Sequence, residues 1–177
     1  MREIRLSVLP AAVAAAVLLA SCGGGAEEKT YPIRTYNMGE RIQLGHISYQ
    51  IFETQWMTHI GEGPDARVPQ HRFFLIRLSA VNGAPSEVTV PNFVIEDDNG
   101  KTYNELSDGT GVPQYVGYLR MVKPAEAAQG NALFDAPPRH YKLKIMDEDQ
   151  EKIAWVDIPL NFGAETPQVV SPPDKKQ

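Results

Sequence analysis

The sequence is short of the residue types on which most protein chemistry depends. Cysteine occurs once in 177 residues, at Cys22. A lone cysteine excludes a disulfide within the chain, a zinc–thiolate set and an iron–sulfur cluster. Histidine occurs four times, as His46, His59, His71 and His140, and no two stand close enough in sequence to form a paired metal-ligand motif. There is no Gly-x-Ser-x-Gly elbow, no phosphate-cradling glycine loop and no His-Glu-x-x-His. The longest apolar run, Val8 to Ala20, has thirteen residues. A hydrocarbon core of about 30 Å needs roughly 20 residues, so this run does not span one as a helix. Positive charge is scarce as well: 17 Lys and Arg stand against 22 Asp and Glu. An acidic surface repels phosphates, so nucleic acid is excluded as an expected partner. These absences leave no catalytic, metal or cofactor residues to nominate, and the chain is expected not to be an enzyme.

What is present begins with a targeting pattern. Arg2 and Arg5 precede the apolar run, and small residues close it. That is the layout of a secretory signal. Leu19-Ala20-Ser21-Cys22 resembles the bacterial lipobox. The resemblance implies that residues 1–21 are a lipoprotein signal peptide, cut before Cys22. The Cys22 thiol then carries a diacylglycerol and the new amino terminus is acylated. Two or more acyl chains, at about 0.8 kcal/mol per buried CH₂, hold a protein on a membrane stably. The expected partner of Cys22 is therefore the membrane itself, and the expected location is extracytoplasmic, on the cell membrane or the outer membrane. Glycine rather than aspartate follows Cys22, which lacks the pattern of an inner-membrane retention signal. Loss of Arg2, Glu3 and Arg5 with the signal leaves 15 basic and 21 acidic residues, a net charge of −6.

Residues 22–36, rich in glycine and charge at their start, are expected to form a flexible tether. Residues 37–160 read as one all-β domain. Arg41-Ile42-Gln43-Leu44 alternates polar and apolar, and Ile47, Tyr49 and Ile51 alternate with Ser48 and Gln50. That period of two marks half-buried strands. From Arg72 to Asn82, Phe74, Ile76, Leu78 and Ala80 share one face, and Phe73, Leu75 and Val81 make the other partly apolar, which predicts a central strand. Short strands follow at Val88–Val90, Phe93–Glu96 and Gln129–Phe134. Asp97-Asp98-Asn99-Gly100 is a hairpin turn in which Asn-Gly supplies positive φ. Tyr141, Leu143 and Ile145 alternate with lysines, and Ala154, Val156 and Ile158 share a face in the last strand. About seven or eight short strands joined by glycine and proline turns predict a β-sandwich. Residues 161–177, with Pro167, Pro172 and Pro173, are expected to be a disordered tail.

Four blocks carry a family resemblance: Gly39 to Gly45 with Ile47 to Ile51; Phe74 to Asn82; Asp97 to Tyr103; and Phe134 to Pro137 with Tyr141 to Ile145. In this order they are similar to the telokin-like, immunoglobulin-fold domain of bacterial lipoproteins. The resemblance implies an immunoglobulin-like sandwich over residues 36–160 and supplies no catalytic residues. One departure is Pro124-Ala125-Glu126, where the pattern has Pro-Gly-Glu. Alanine disfavours positive φ, which leaves the turn type there open.

Two long loops remain as places where function can sit. Residues 57–71 contain Gly61, Gly63, Pro64 and Pro69, and residues 107–118 contain Gly109, Gly111 and Pro113. Trp56, Tyr115 and Tyr118 flank them as candidate contact aromatics. His59 and His71 bracket the first loop with Glu62 and Asp65 between them, a donor set for a metal if the loop folds back. Asp147, Glu148, Asp149 and Glu151 crowd one turn but lack the glycine and ligand alternation of a calcium loop. The expected function is contact with an envelope or other protein partner. The alternative is a small ligand or metal held between loops 57–71 and 107–118.

Overall fold

The computed structural model describes residues 31–161. The expected signal peptide, Cys22, the tether up to residue 30 and the tail from residue 162 lie outside the described residues. The rest is an all-β, immunoglobulin-like sandwich. Its eleven strands are β1 (Arg34–Asn37), β2 (Arg41–Leu44), β3 (Ile47–Met57), β4 (Phe73–Asn82), β5 (Val88–Val90), β6 (Val94–Asp97), β7 (Thr102–Asn104), β8 (Arg120–Val122), β9 (Ala127–Asp135), β10 (Tyr141–Met146) and β11 (Ile153–Ile158). One sheet has the order β1-β11-β10-β6-β7, the other β2-β3-β4-β9, and β5 pairs with β8 as a separate ribbon. Eleven strands replace the seven or eight expected because several are three- or four-residue edge pieces, too short to show a periodicity. Residues expected to end the tether are in fact ordered strand: β1 starts at Arg34, ahead of residue 37. Arg-Thr-Tyr-Asn has no apolar alternation to betray it. It forms because β11 offers an edge, which β1 pairs in parallel from Arg34–Ala154 to Asn37–Asp157.

The two inner faces meet over the apolar sets that the alternation marks. Ile47, Tyr49 and Ile51 of β3 and Phe74, Ile76, Leu78 and Ala80 of β4 face Ile95, Tyr141, Leu143, Ile145, Ala154, Val156 and Ile158, and each of these is essentially buried. Each large side chain so buried contributes about 1.5–3 kcal/mol. β4 lies between β3 and β9, the central place its two-sided apolar pattern demands.

A bulge decides what the far half of β3 does. The register with β4 slips between Ile51 and Glu53, leaving Phe52 as an extra residue. Without it, the alternation of Ile47, Tyr49 and Ile51 would carry Glu53 and Gln55 into the core. With it, Trp56 turns inward and stacks on Phe74 at 4.0 Å between ring centroids.

The sandwich has two distinguishable ends. At one, the chain enters: Tyr31, Arg34, Leu44 and Lys152 line one small recess. Tyr49 donates from its hydroxyl to the Met146 carbonyl (2.7 Å) at this same end. At the other, Trp56 approaches Tyr141 (6.3 Å), and the β3–β4 loop, the Asp97–Lys101 turn and the Asp135–His140 connection gather. We call these the entry end and the loop end.

Candidate functional site

The two long loops come together on the outer face of the four-stranded sheet at its loop end. Residues that a half-buried strand would expose, Phe73 and Leu75 of β4 and Leu133 of β9, are buried there under Ile60 and Val112. Met57, Leu106 and Tyr115 complete this second, smaller core. The apolar outer face of β4 thus has a local cause: one loop from each side covers it.

Each loop is shaped by its own backbone. Ile60 and Arg67 exchange backbone hydrogen bonds (3.0 and 2.8 Å) and close a small hairpin whose tip is a 3₁₀ turn at Gly63–Asp65. Arg67 then clamps the second loop. Its guanidinium donates to the Thr110 carbonyl (2.6 Å) and the Asp108 carbonyl (3.1 Å), meets the Asp108 carboxylate at 3.3 Å and lies over the Phe73 ring. Hydrogen bonds from Thr110 hold the Asp108 carboxyl below its ordinary value. Tyr115 donates to the carbonyls of Leu106 (2.9 Å) and Ser107 (3.2 Å). The second loop also touches β9: Val116 N–H donates to Asn131 O (3.1 Å), and Asn131 N–H to Gln114 O (2.8 Å). Gly130 makes this approach possible, because a Cβ there would stand 2.2 Å from the Gln114 carbonyl oxygen.

Where the loops meet, a cleft of about 500 Å³ opens, lined by Trp56, His59, Glu62, Arg72, Gly111 and Pro113 among others. Beyond Pro113 a second recess of about 440 Å³ lies over Glu53, Gln55, Arg77 and Asn131. The cleft offers one aromatic wall, both signs of charge and exposed backbone.

The other expected site residues fall as follows. Trp56 and Tyr115 are half-buried and serve packing, and Tyr118 is half-buried in the approach to β8. His59, Glu62, Asp65 and His71 do not assemble. His59 bonds Thr58 Oγ1 (3.0 Å), and His71 sits 3.6 Å from the Asp135 carboxylate. Among the described residues no three His, Cys, Asp or Glu side chains converge as a metal set. The acidic turn is used for structure. Asp147 is buried and accepts from Lys152 N–H (3.0 Å), and Glu148 accepts from His46 N–H and contacts the His46 ring. In the Asp97 turn only Gly100 takes positive φ (79°), not Asn99. The Asp97 carboxylate fixes that turn by accepting from Asn99 N–H (2.9 Å) and Lys101 N–H (3.0 Å), and Arg139 meets its other oxygen at 2.7 Å.

Two polar nodes escape sequence reasoning. Glu105 and Arg120 form an ion pair buried at 0% and 1% side-chain exposure, with Nη2 at 2.7 Å and Nη1 at 3.1 Å from the carboxylate. Arg120 also covers the Phe93 ring (4.4 Å) and bonds Asn92, while Phe93 N–H donates to Glu105. Burial pushes the Glu105 carboxyl up to about 7, against the pull of Arg120 and of Phe93 N–H. Fifteen residues separate the two in sequence, and the only trace is a charge inside the apolar stretch Leu119–Val122. The second node is His140, whose Nδ1 meets Asp98 (2.7 Å) and whose Nε2 meets Asp157 (2.8 Å). Both carboxylates raise the imidazole pKa, the Asp157 hydrogen bond most.

No known family and no curated protein matches the chain. Solved structures do. The yjhA protein of Bacillus subtilis is 12% identical with a TM-score of 0.54, over 70% of this chain and 98% of that one. The secreted protein MPT63 of Mycobacterium tuberculosis is 16% identical with a TM-score of 0.53, over 72% and 98%. A candidate lipoprotein of Bacillus subtilis, ycdA, is 11% identical with a TM-score of 0.50, over 68% of this chain and 38% of that one. At these identities the likeness is one of fold, and the chain has the β-sandwich that these proteins share.

Proposed function

We propose that this chain is a lipid-anchored, extracytoplasmic, non-enzymatic contact module of the telokin-like lipoprotein kind, which engages an envelope protein through its loop end. The observation that carries the reading is the direction of the chain. β1 runs from the entry end, so the described chain enters the sandwich opposite the loops. The cleft, Val68 (77% exposed) and the exposed His59 and Glu62 lie at the end opposite Tyr31, where the described chain begins. Second support comes from the loops themselves. Their private core and the Arg67 clamp pre-organise them, which lowers the entropy cost of binding. A secreted protein and a candidate lipoprotein among the fold neighbours fit the location.

The test pairs intact mass with membrane fractionation of the native chain and its Cys22→Ala variant, followed by partner capture from intact cells. The native chain is expected to exceed the mass of residues 22–177 by a lipid mass and to pellet with membranes, with the variant carrying no lipid and keeping the uncut mass of residues 1–177. Soluble, unmodified native protein would overturn the anchor. The cleft favours a second reading, a small molecule held between the loops. A ligand that binds only the folded chain raises its melting temperature, so a thermal-shift panel separates the two.

A further inference from the structure

β3 is longer than its cover. It has eleven residues, and β2 pairs only Ile47–Gln50. Gly39 N–H then donates to Ile51 O (2.8 Å), and there the cover ends. From Glu53 to Met57, β3 is paired with β4 on one side and, among the described residues, has no strand on the other. The stretch is open to solvent: Phe52 is 43% exposed and the Glu53 side chain 65%. Alternate residues of an unpaired edge turn their N–H and C=O outward. Among the described residues the other sheet edges are closed or short. β1 and β2 have four residues and β7 three, while β9 is met at Asn131 by the second loop and at Leu133 by Leu106 N–H (2.7 Å).

Sheet proteins normally guard a long edge with charge, proline or bulges. Here the guard is weak. The bulge lies at the start of the stretch, there is no proline, and the one charge, Glu53, is neutralised by Arg77 at 3.1 Å. A row of backbone donors and acceptors at strand spacing is complemented by another extended backbone. Small molecules do not match it. The two recesses border this same stretch, one over Glu53 and Gln55, the other beside Trp56 and Met57.

We propose that Phe52–Met57 is a docking strand for an extended segment of an envelope protein, which adds to the sheet by backbone hydrogen bonds. The segment's side chains on the outer face lie over the Glu53–Arg77 pair, and a large side chain at one end enters the cleft by Trp56. This rests on the contact-module reading and names the partner's class.

The test places a benzophenone amino acid in the full chain, in its own cells, at Gln55 on the edge, at Val68 in the loop and at Lys142 on the opposite sheet as control. The expected result is a discrete adduct with one other protein from Gln55 and none from Lys142. A synthetic peptide of the cross-linked segment should then slow amide exchange within residues 52–57 by at least about tenfold in alternate residues, as paired strand amides do. An adduct from Val68 without one from Gln55 overturns the docking strand and leaves the contact module standing. No adduct from either position overturns both. An adduct between two copies of this chain, an adduct from Gln55 to another segment of the same copy, or a peptide that protects only the loops, also overturns the proposal.

Discussion

Single residues carry strain and charge that this fold tolerates. Ala125 sits at φ +60° in the Lys123–Glu126 turn, which Glu126 N–H closes onto Lys123 O (3.1 Å). The turn keeps the left-handed residue that glycine would supply, and alanine bears it at a cost of about 1–2 kcal/mol. Ala125→Gly is therefore expected to stabilise the domain by up to about 1 kcal/mol after glycine's own entropy cost, read as a higher midpoint in thermal unfolding. His140 holds the Asp97–Lys101 turn and β11 together only while both ring nitrogens carry protons. Its raised pKa makes the contribution complete below the ordinary histidine value of 6.5 and lost as pH rises through the higher folded value. The wild type should lose melting temperature as pH rises above 6.5 through the raised folded value, and His140→Gln should show a flatter curve there. Equal slopes would deny the charged bridge. At the buried pair, Glu105→Ala leaves Arg120 charged, 3% exposed and unpaired. Breaking one partner of such a pair costs about 3–5 kcal/mol, which denaturant unfolding would register directly.

Elements differ in how they are held. β4 is gripped on both faces, by the main core and by the loop core. The loops are gripped on one side only, through Ile60, Val112 and the Arg67 clamp. Truncating Ile60 to alanine removes a buried side chain worth about 2–5 kcal/mol. The loss is expected locally: exchange and proteolysis should rise in residues 58–71 and 107–116 while the strands of the other sheet keep their protection. Uniform loss would mean that loop core and main core unfold as one unit. The strands themselves were legible wherever one face is buried, as in β3, β4, β10 and β11, because burial on one side enforces a period of two. β1 was not, since its pairing depends on an edge more than a hundred residues away. Neither was the bulge at Phe52, because one inserted residue leaves composition unchanged while exchanging the two faces.

The described residues of this acidic chain form a sandwich that the chain enters at the end opposite the two long loops. With a net charge of −6 after residue 21, a chain of residues 23–177, which lacks both the signal and the lipid, should not float with anionic lipid vesicles even at low salt. Flotation would show that exposed apolar residues such as Leu119 (86%) and Met121 (68%) dock on lipid without the anchor. The alternation along the chain is enough for the class of fold and the central place of β4, and it is composition and the Leu19–Cys22 pattern that raise the expectation of a lipid on Cys22. These are properties of local pattern and of composition. Pattern does not reveal that loops 57–71 and 107–118 share one small core, that Glu105 finds Arg120, or that among the described residues the far half of β3 has a strand on one side only. Each of these depends on distant segments meeting, and that is set by how the two sheets close over their shared core.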